Sequence, residues 1–288
     1  MLGKNHGGLG AESQRRQVRH DLGIELQRRR GDRVLVARHE PVQLPQVIGG
    51  PDGQRRAEGV GGLDRGEWAS ERAIDIVSTE LPVQLERLPV DAALRRAVGA
   101  ANDRIWRQVS ASLESRSGLV ATTLVAVVLD DRLLWWANVG DSRAYLVNED
   151  GVQRLTRDHS WTQEQVRNGL LTEEQARLSE RRNVITRGVG FQAQLEVDTG
   201  GPIALSERHL IVLCSDGLHG LVTDAEIASL ARALEPDEAT ERMIALSNER
   251  GGIDNISAVV CSFLSEPIIN AEPAALDSRA GWRNADAT

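Results

Sequence analysis

VATTLVAVVLDDRLLWWANVGDSRAYLVNEDGVQRLTRDHS, residues 120–160, breaks into four apolar runs: Val120–Leu129, Leu133–Val139, Arg143–Val147 and Val152–Leu155. Asp130-Asp131, Gly140-Asp141 and the Asn-Glu-Asp-Gly of 148–151 separate them. Each run is short for a helix and rich in β-branched residues. Turn-forming clusters bound every run, so the spacing predicts an antiparallel meander. The last break is a strong hairpin signal.

Helical patterns flank this block. Upstream, GEWASERAIDIVSTEL from Gly66 places Trp68, Ala69, Ala73, Ile76, Val77 and Leu81 at helical spacing. After Pro82 a second stripe runs from Asp91 to about Ala111 through Leu94, Val98, Ala101, Ile105 and Val109. Downstream, Thr162–Gln165 and Thr172–Gln175 each fit a helix start in which a hydroxyl precedes Gln by three residues. These polar helices predict an exposed flap over 161–182. Val184–Thr186 and Leu195–Val197 are short strand candidates, and His209–Cys214 reads as a buried strand. Thr223 to Glu226 opens a helix with a capping box, Asp237–Arg250 forms another, and Gly251-Gly252 stops it. Ile256–Leu264 is the last strand. Consecutive hairpins between helix pairs favour an α+β fold of antiparallel sheets with helices on the outer faces.

Composition narrows the function. A net charge of −8 over 288 residues argues against a nucleic-acid binder. No run approaches the roughly 18 apolar residues that span a membrane. Cys214 and Cys261 sit in apolar strand-like runs, which suits reduced thiols in a cytoplasmic protein. A monomer is expected.

Residues 1–56 read differently. Residues 1–60 carry 11 Lys/Arg against 7 Asp/Glu, no aromatic ring of Phe, Trp or Tyr occurs before Trp68, and only Val34–Ala37 is strand-like. Lys4 is the only lysine among 34 basic residues, the mark of a GC-rich gene. Two readings stay open: a flexible basic arm, or a stretch of such a gene read out of frame. The ordered domain is expected over 57–264, with a disordered Ala/Pro/Asp-rich tail over 265–288.

Chemistry gathers on aspartates. Asp141 and Asp216 directly follow strands beside glycine turns, and Asp254 precedes a strand after Gly251-Gly252-Ile253. Singly, each suits a tight turn. Together they suggest ligands for a hard cation, Mg²⁺ or Mn²⁺. The six histidines form no zinc pattern; His159 and His219 read as structural or surface residues. No P-loop is present. Cys214, inside a strand with no adjacent base, is no candidate nucleophile.

Five segments in order carry a family likeness: ANVGDSRAYLV (137–147), LTRDHS (155–160), NVITRGVG (183–190), LCSDGLHG (213–220) and DNIS (254–257). The chain resembles the metal-dependent (PPM, type 2C) serine/threonine protein phosphatases of bacterial type over about residues 57–264. VATTLVAVVL resembles the strand that follows the family's Gly-Thr-Thr, and EGVGGLDRGEWAS (58–70) resembles its Asp-Gly-x-Gly-Gly segment with the helix after it. The resemblance implies a four-layer α/β/β/α sandwich of two antiparallel sheets flanked by helix pairs. It implies two Mn²⁺ or Mg²⁺ ions activating a water that attacks phosphoserine or phosphothreonine in protein substrates. Carried over by motif, Asp216 and Asp254 are metal ligands, Asp141 helps hold a third ion, and the carbonyl of Gly59 reaches the metal pair. Asn255 orients its neighbour.

Glu58 stands where the family has its bridging aspartate, which moves the carboxylate by about 1.5 Å. The family's N-terminal Arg-x-x-Asn-Glu-Asp has no clear match. These departures leave a second expectation beside the working phosphatase: an impaired relative acting as a regulatory or binding module.

Overall fold

The computed structural model describes residues 33–38, 63–112, 120–130 and 132–262. Within them the chain forms eight strands and seven helices. One sheet has the order β1-β2-β3-β6, built from Arg33–Arg38, Leu124–Asp130, Leu133–Val139 and Asp198–Ala204. The other has the order β5-β4-β7-β8, built from Gly151–Arg154, Arg143–Asn148, Leu210–Cys214 and Ala258–Ser262. Every pairing is antiparallel.

Strand β2 explains the layering. Six of its seven residues are buried, so both faces are covered. Leu124, Ala126 and Val128 point to a core shared with helices α1 (Leu63–Leu85) and α2 (Val90–Ser112). Val125, Val127 and Leu129 point the other way, into the core between the sheets. A third core joins the outer face of β4, β7 and β8 to helices α6 (Asp224–Ala233) and α7 (Pro236–Glu249). Three cores separate four layers, as the resemblance implies.

The meander expectation needs one correction. The first and last breaks are hairpins, β2–β3 and β4–β5. At the middle break the chain changes sheets: β3 pairs with β2 and β6, while β4 pairs with β5 and β7. Gly140 makes the crossing possible. It sits at φ +104, and a Cβ there would come within 2.3 Å of the Thr123 side chain.

Other expectations shift at their edges. Helix α1 runs through Pro82 to Leu85, because a proline in the last turn removes only one late hydrogen bond. Helix α3 (Trp161–Arg167) is capped by Ser160, with Thr162 buried inside it, whereas α4 (Glu173–Leu178) has the expected Thr172–Gln175 capping box. Thr223 and Glu226 likewise cap α6 reciprocally. Of Val184–Thr186, only Ile185 makes a bridge, to Ser160. Leu195–Val197 is no strand; the strand begins at Asp198 and runs through Gly200-Gly201-Pro202. Gly-Gly-Pro favours a turn, but the indole of Trp136 occupies the space over Gly200, where a Cβ would lie 2.5 Å from the ring. Packing on Trp136 overrides local propensity. Val34–Ala37 lies within β1, an edge strand paired to β2. The rest of the expected arm and the tail fall outside the described residues.

Candidate functional site

Antiparallel pairing brings the aspartates to one end of the second sheet. Arg143 at the start of β4 lies opposite Cys214 at the end of β7, which lies opposite Ala258 at the start of β8. Asp141, Asp216 and Asp254 occupy the turns beyond those three positions. All three line one cleft of about 670 Å³, whose other side is formed by flap residues including Glu173, Arg177 and Arg182.

Two of these turns are clamped together. Ser215 donates through Oγ to the Asn255 carbonyl (3.2 Å) and accepts from the Ser257 N–H (3.0 Å). The Ser215 N–H donates to the Ser257 carbonyl (3.1 Å). Gly217 then passes so close that a Cβ would sit 2.1 Å from the Asn255 carbonyl oxygen. Asp216 and Asp254 are thus held side by side by main chain. The N–H of Asn255 donates to the Asp254 carboxylate at 2.8 Å, so it is the backbone of Asn255 that braces Asp254.

The third turn is held by two histidines. His159 is buried; its Nδ1 accepts from the Gly140 N–H (3.0 Å), leaving the proton on Nε2, which donates to Asp198 (3.1 Å). Burial, above all, holds His159 below the ordinary imidazole value, with Arg187 adding to the shift. His219 lies in the short helix α5 (Asp216–His219), and its Nε2 donates to the Asp141 carbonyl at 2.9 Å. Burial and then the charge of Arg143 push His219 down to about 4, so both rings are neutral near pH 7. Both rings hold backbone through these bonds; His159 is buried, and His219 is half-buried in the cleft wall. Thr123 and Ser142 hydroxyls, 2.9 Å apart, tie the same turn to the first sheet.

Sequence reasoning gave Arg143 no role, although it lies in the GDSR string. Its guanidinium grips Asp158 at 2.7–3.2 Å and reaches the Tyr145 hydroxyl (3.2 Å) and Asp224 at the start of α6 (3.4 Å). Tyr145 in turn donates to Asp224 at 2.9 Å. Burial pushes the Asp158 carboxyl up, but Arg143 outweighs it and leaves the group below the usual carboxylate range. The pair braces the floor beside Asp141. Its partners lie 15 and 81 residues away, which no local pattern reveals.

The donor set suits a hard cation. Asp141, Asp216 and Asp254 offer carboxylate oxygen, while burial pushes the Cys214 thiol far up and keeps it protonated. Among the described residues, no three His, Cys, Asp or Glu side chains converge closely enough to enclose an ion. Glu58 and Gly59, the other expected ligands, lie outside the described residues.

The profile of the family described as Protein phosphatase 2C matches residues 54–180. The serine/threonine phosphatase stp of Listeria innocua is 31% identical over 208 residues, 71% of this chain and 81% of that protein. Protein phosphatase PhpP of Streptococcus pneumoniae is 30% identical over 213 residues, 73% of this chain and 85% of the relative. Among solved structures, the serine/threonine phosphatase PstP/Ppp of Mycobacterium tuberculosis superposes with a TM-score of 0.65 at 26% identity, covering 80% of this chain and 98% of that one. The catalytic domain of PstP solved with two manganese ions gives a TM-score of 0.60 at 26% identity, covering 80% and 97% of the two chains.

Proposed function

The chain belongs to the protein phosphatase 2C family, and on that premise we propose that it hydrolyses phosphoserine and phosphothreonine in proteins by a metal-dependent route. The observation that carries the reading is the clamp that sets Asp216 beside Asp254 at the floor of the cleft. We assign these two carboxylates to a pair of Mn²⁺ or Mg²⁺ ions, with Glu58 and the Gly59 carbonyl completing it and Asp141 serving a third ion. Divalent ions bound there supply a nucleophile from water at neutral pH and offset the charge of the phosphate.

The chain's own residues do the rest. The clamp fixes the spacing of Asp216 and Asp254 through main chain, so little reorganisation accompanies the reaction. His219 and His159 hold the Asp141 turn from both flanks. The flap over 161–182 covers the cleft and would tune which phosphoproteins enter. Two free cysteines suit a reducing, cytoplasmic setting, and among the described residues no helix is long and apolar enough to cross a membrane. The matched relatives are themselves named phosphatases, which gives the impaired-relative reading no support.

The test is Mn²⁺-dependent hydrolysis of a small aryl phosphate by the unaltered chain, by Asp216→Asn and by Glu58→Asp. Turnover by the unaltered chain that falls at least about 100-fold in Asp216→Asn is expected. Silence rescued by Glu58→Asp would locate a defect in one methylene. Silence in all three would overturn the reading.

A further inference from the structure

A second cleft, of about 570 Å³, opens beside the first, where the edge strands β5 and β6 of the two sheets lie. Its wall draws Arg95 from α2, Trp136 from β3, and residues 154–157 and 196–199. Arg95, Arg154 and Arg157 bring three guanidiniums to it. Among the described residues, neither Arg154 nor Arg157 makes a close ion pair, although the charge of Arg154 reaches Asp158. Among the described residues Arg95 pairs only with Asp91, at 3.1 Å, with both side chains about half exposed, a bond readily exchanged.

The carboxylates of this cleft are already engaged. Glu196 and Asp198 both bond Arg187, at 3.1 and 2.8 Å, and Asp198 also accepts from His159. The cleft therefore presents three guanidiniums with little ion pairing in a chain of net charge −8. Guanidiniums bind carboxylates through paired hydrogen bonds. Leu155, Val197 and the half-buried indole of Trp136 add an apolar surface for the stems of bound side chains.

Arg154 lines both clefts, and Asp158 lines the first, so residues 154–158 form the ridge between them.

We propose that the second cleft docks an acidic stretch of the phosphoprotein substrate that flanks the phosphorylated side chain. The proposal rests on the phosphatase reading, and its test separates the two. Labelled, unphosphorylated threonine peptides, which are not turned over, carry four glutamates on the N-terminal side, on the C-terminal side, or glutamines in their place. Binding to the full chain is followed by fluorescence anisotropy. One glutamate peptide should bind several-fold tighter than its glutamine counterpart. Charge reversal in Arg95→Glu/Arg157→Glu should erase that several-fold preference, which in the unaltered chain should shrink as salt rises. Aryl phosphate hydrolysis should be unchanged in the double variant, because neither arginine lines the aspartate cleft. Equal binding of glutamate and glutamine peptides on both sides, or a preference that survives charge reversal, overturns the proposal. An unaltered chain that keeps the preference but hydrolyses no phosphate would refute the phosphatase reading alone.

Discussion

The α1/α2 half of the sandwich is joined by small apolar side chains, whereas the α6/α7 half adds to its apolar core a set of polar bonds crowded at one end. Ala69, Ala73, Ala93, Ala97 and Ala101 are all but fully buried and let the two long helices lie close to each other and to the first sheet. Beyond the second sheet, by contrast, Arg143, Asp158, Tyr145, Asp224 and His219 form an almost continuous network under the aspartate turns. A non-directional core tolerates exchange of similar volumes. A network of buried polar groups does not, because each orphaned partner costs its own desolvation. Both halves therefore contribute apolar stability, but only the second also sets the position of three carboxylates.

The largest expected effect falls where backbone meets backbone. In Gly217→Ala the added methyl meets the Asn255 carbonyl, which cannot swing aside as a side chain could. Asp216 and Asp254 must separate, and a displacement of about 1 Å can cost about 100-fold in rate. Mn²⁺-dependent turnover measures it. A rate within a few-fold of the unaltered chain would show that the clamp does not set the carboxylates.

Leu94→Ala tests the other half. Leu94 is fully buried among α1, α2 and the first sheet, so its loss should lower stability by about 2–5 kcal/mol in a denaturant titration. The turnover of the folded fraction should not change. Should kcat fall as well, the two halves are coupled more tightly than the separate cores suggest. Tyr145→Phe is milder. It removes the hydroxyl between Arg143 and Asp224 and leaves those two 3.4 Å apart, for a loss of about 1 kcal/mol.

The same contrast sets what was legible in the sequence. Stripes such as Leu94, Val98, Ala101 and Ile105, and the doubly buried run of β2, announce themselves by period and by continuous apolarity. Asp141, Asp216 and Asp254 were visible as Asp beside Gly turns, and antiparallel register brings all three to one cleft. The sheet change at Gly140 was not visible, since a turn between two strands looks the same whether they pair or part. Strand β6 was hidden because Gly200-Gly201-Pro202 carries turn chemistry and its reason for being a strand is Trp136, more than sixty residues earlier. The Arg143 network was hidden for the same cause: its members were in view, but their pairing is set by the fold.

The smallest expected effect sharpens the comparison by pH. His159 sits where the halves touch, bonded to Gly140 at the sheet change and to Asp198 at the start of β6. Folding lowers its affinity for protons, chiefly by burial. Between its folded value and the unfolded one near 6.5, the unfolded chain binds more protons, so stability rises with pH. The contribution is complete above about 6.5 and is lost as pH falls through the unfolded and then the folded value. For one proton the slope cannot exceed about 1.4 kcal/mol per pH unit. Protonation would also turn Nδ1 into a donor facing the Gly140 N–H and break that bond. Denaturant titrations from pH 7.5 to 5 should show this slope in the unaltered chain and a flatter one in His159→Gln. Equal slopes would mean that the junction of the two halves does not depend on this ring being neutral.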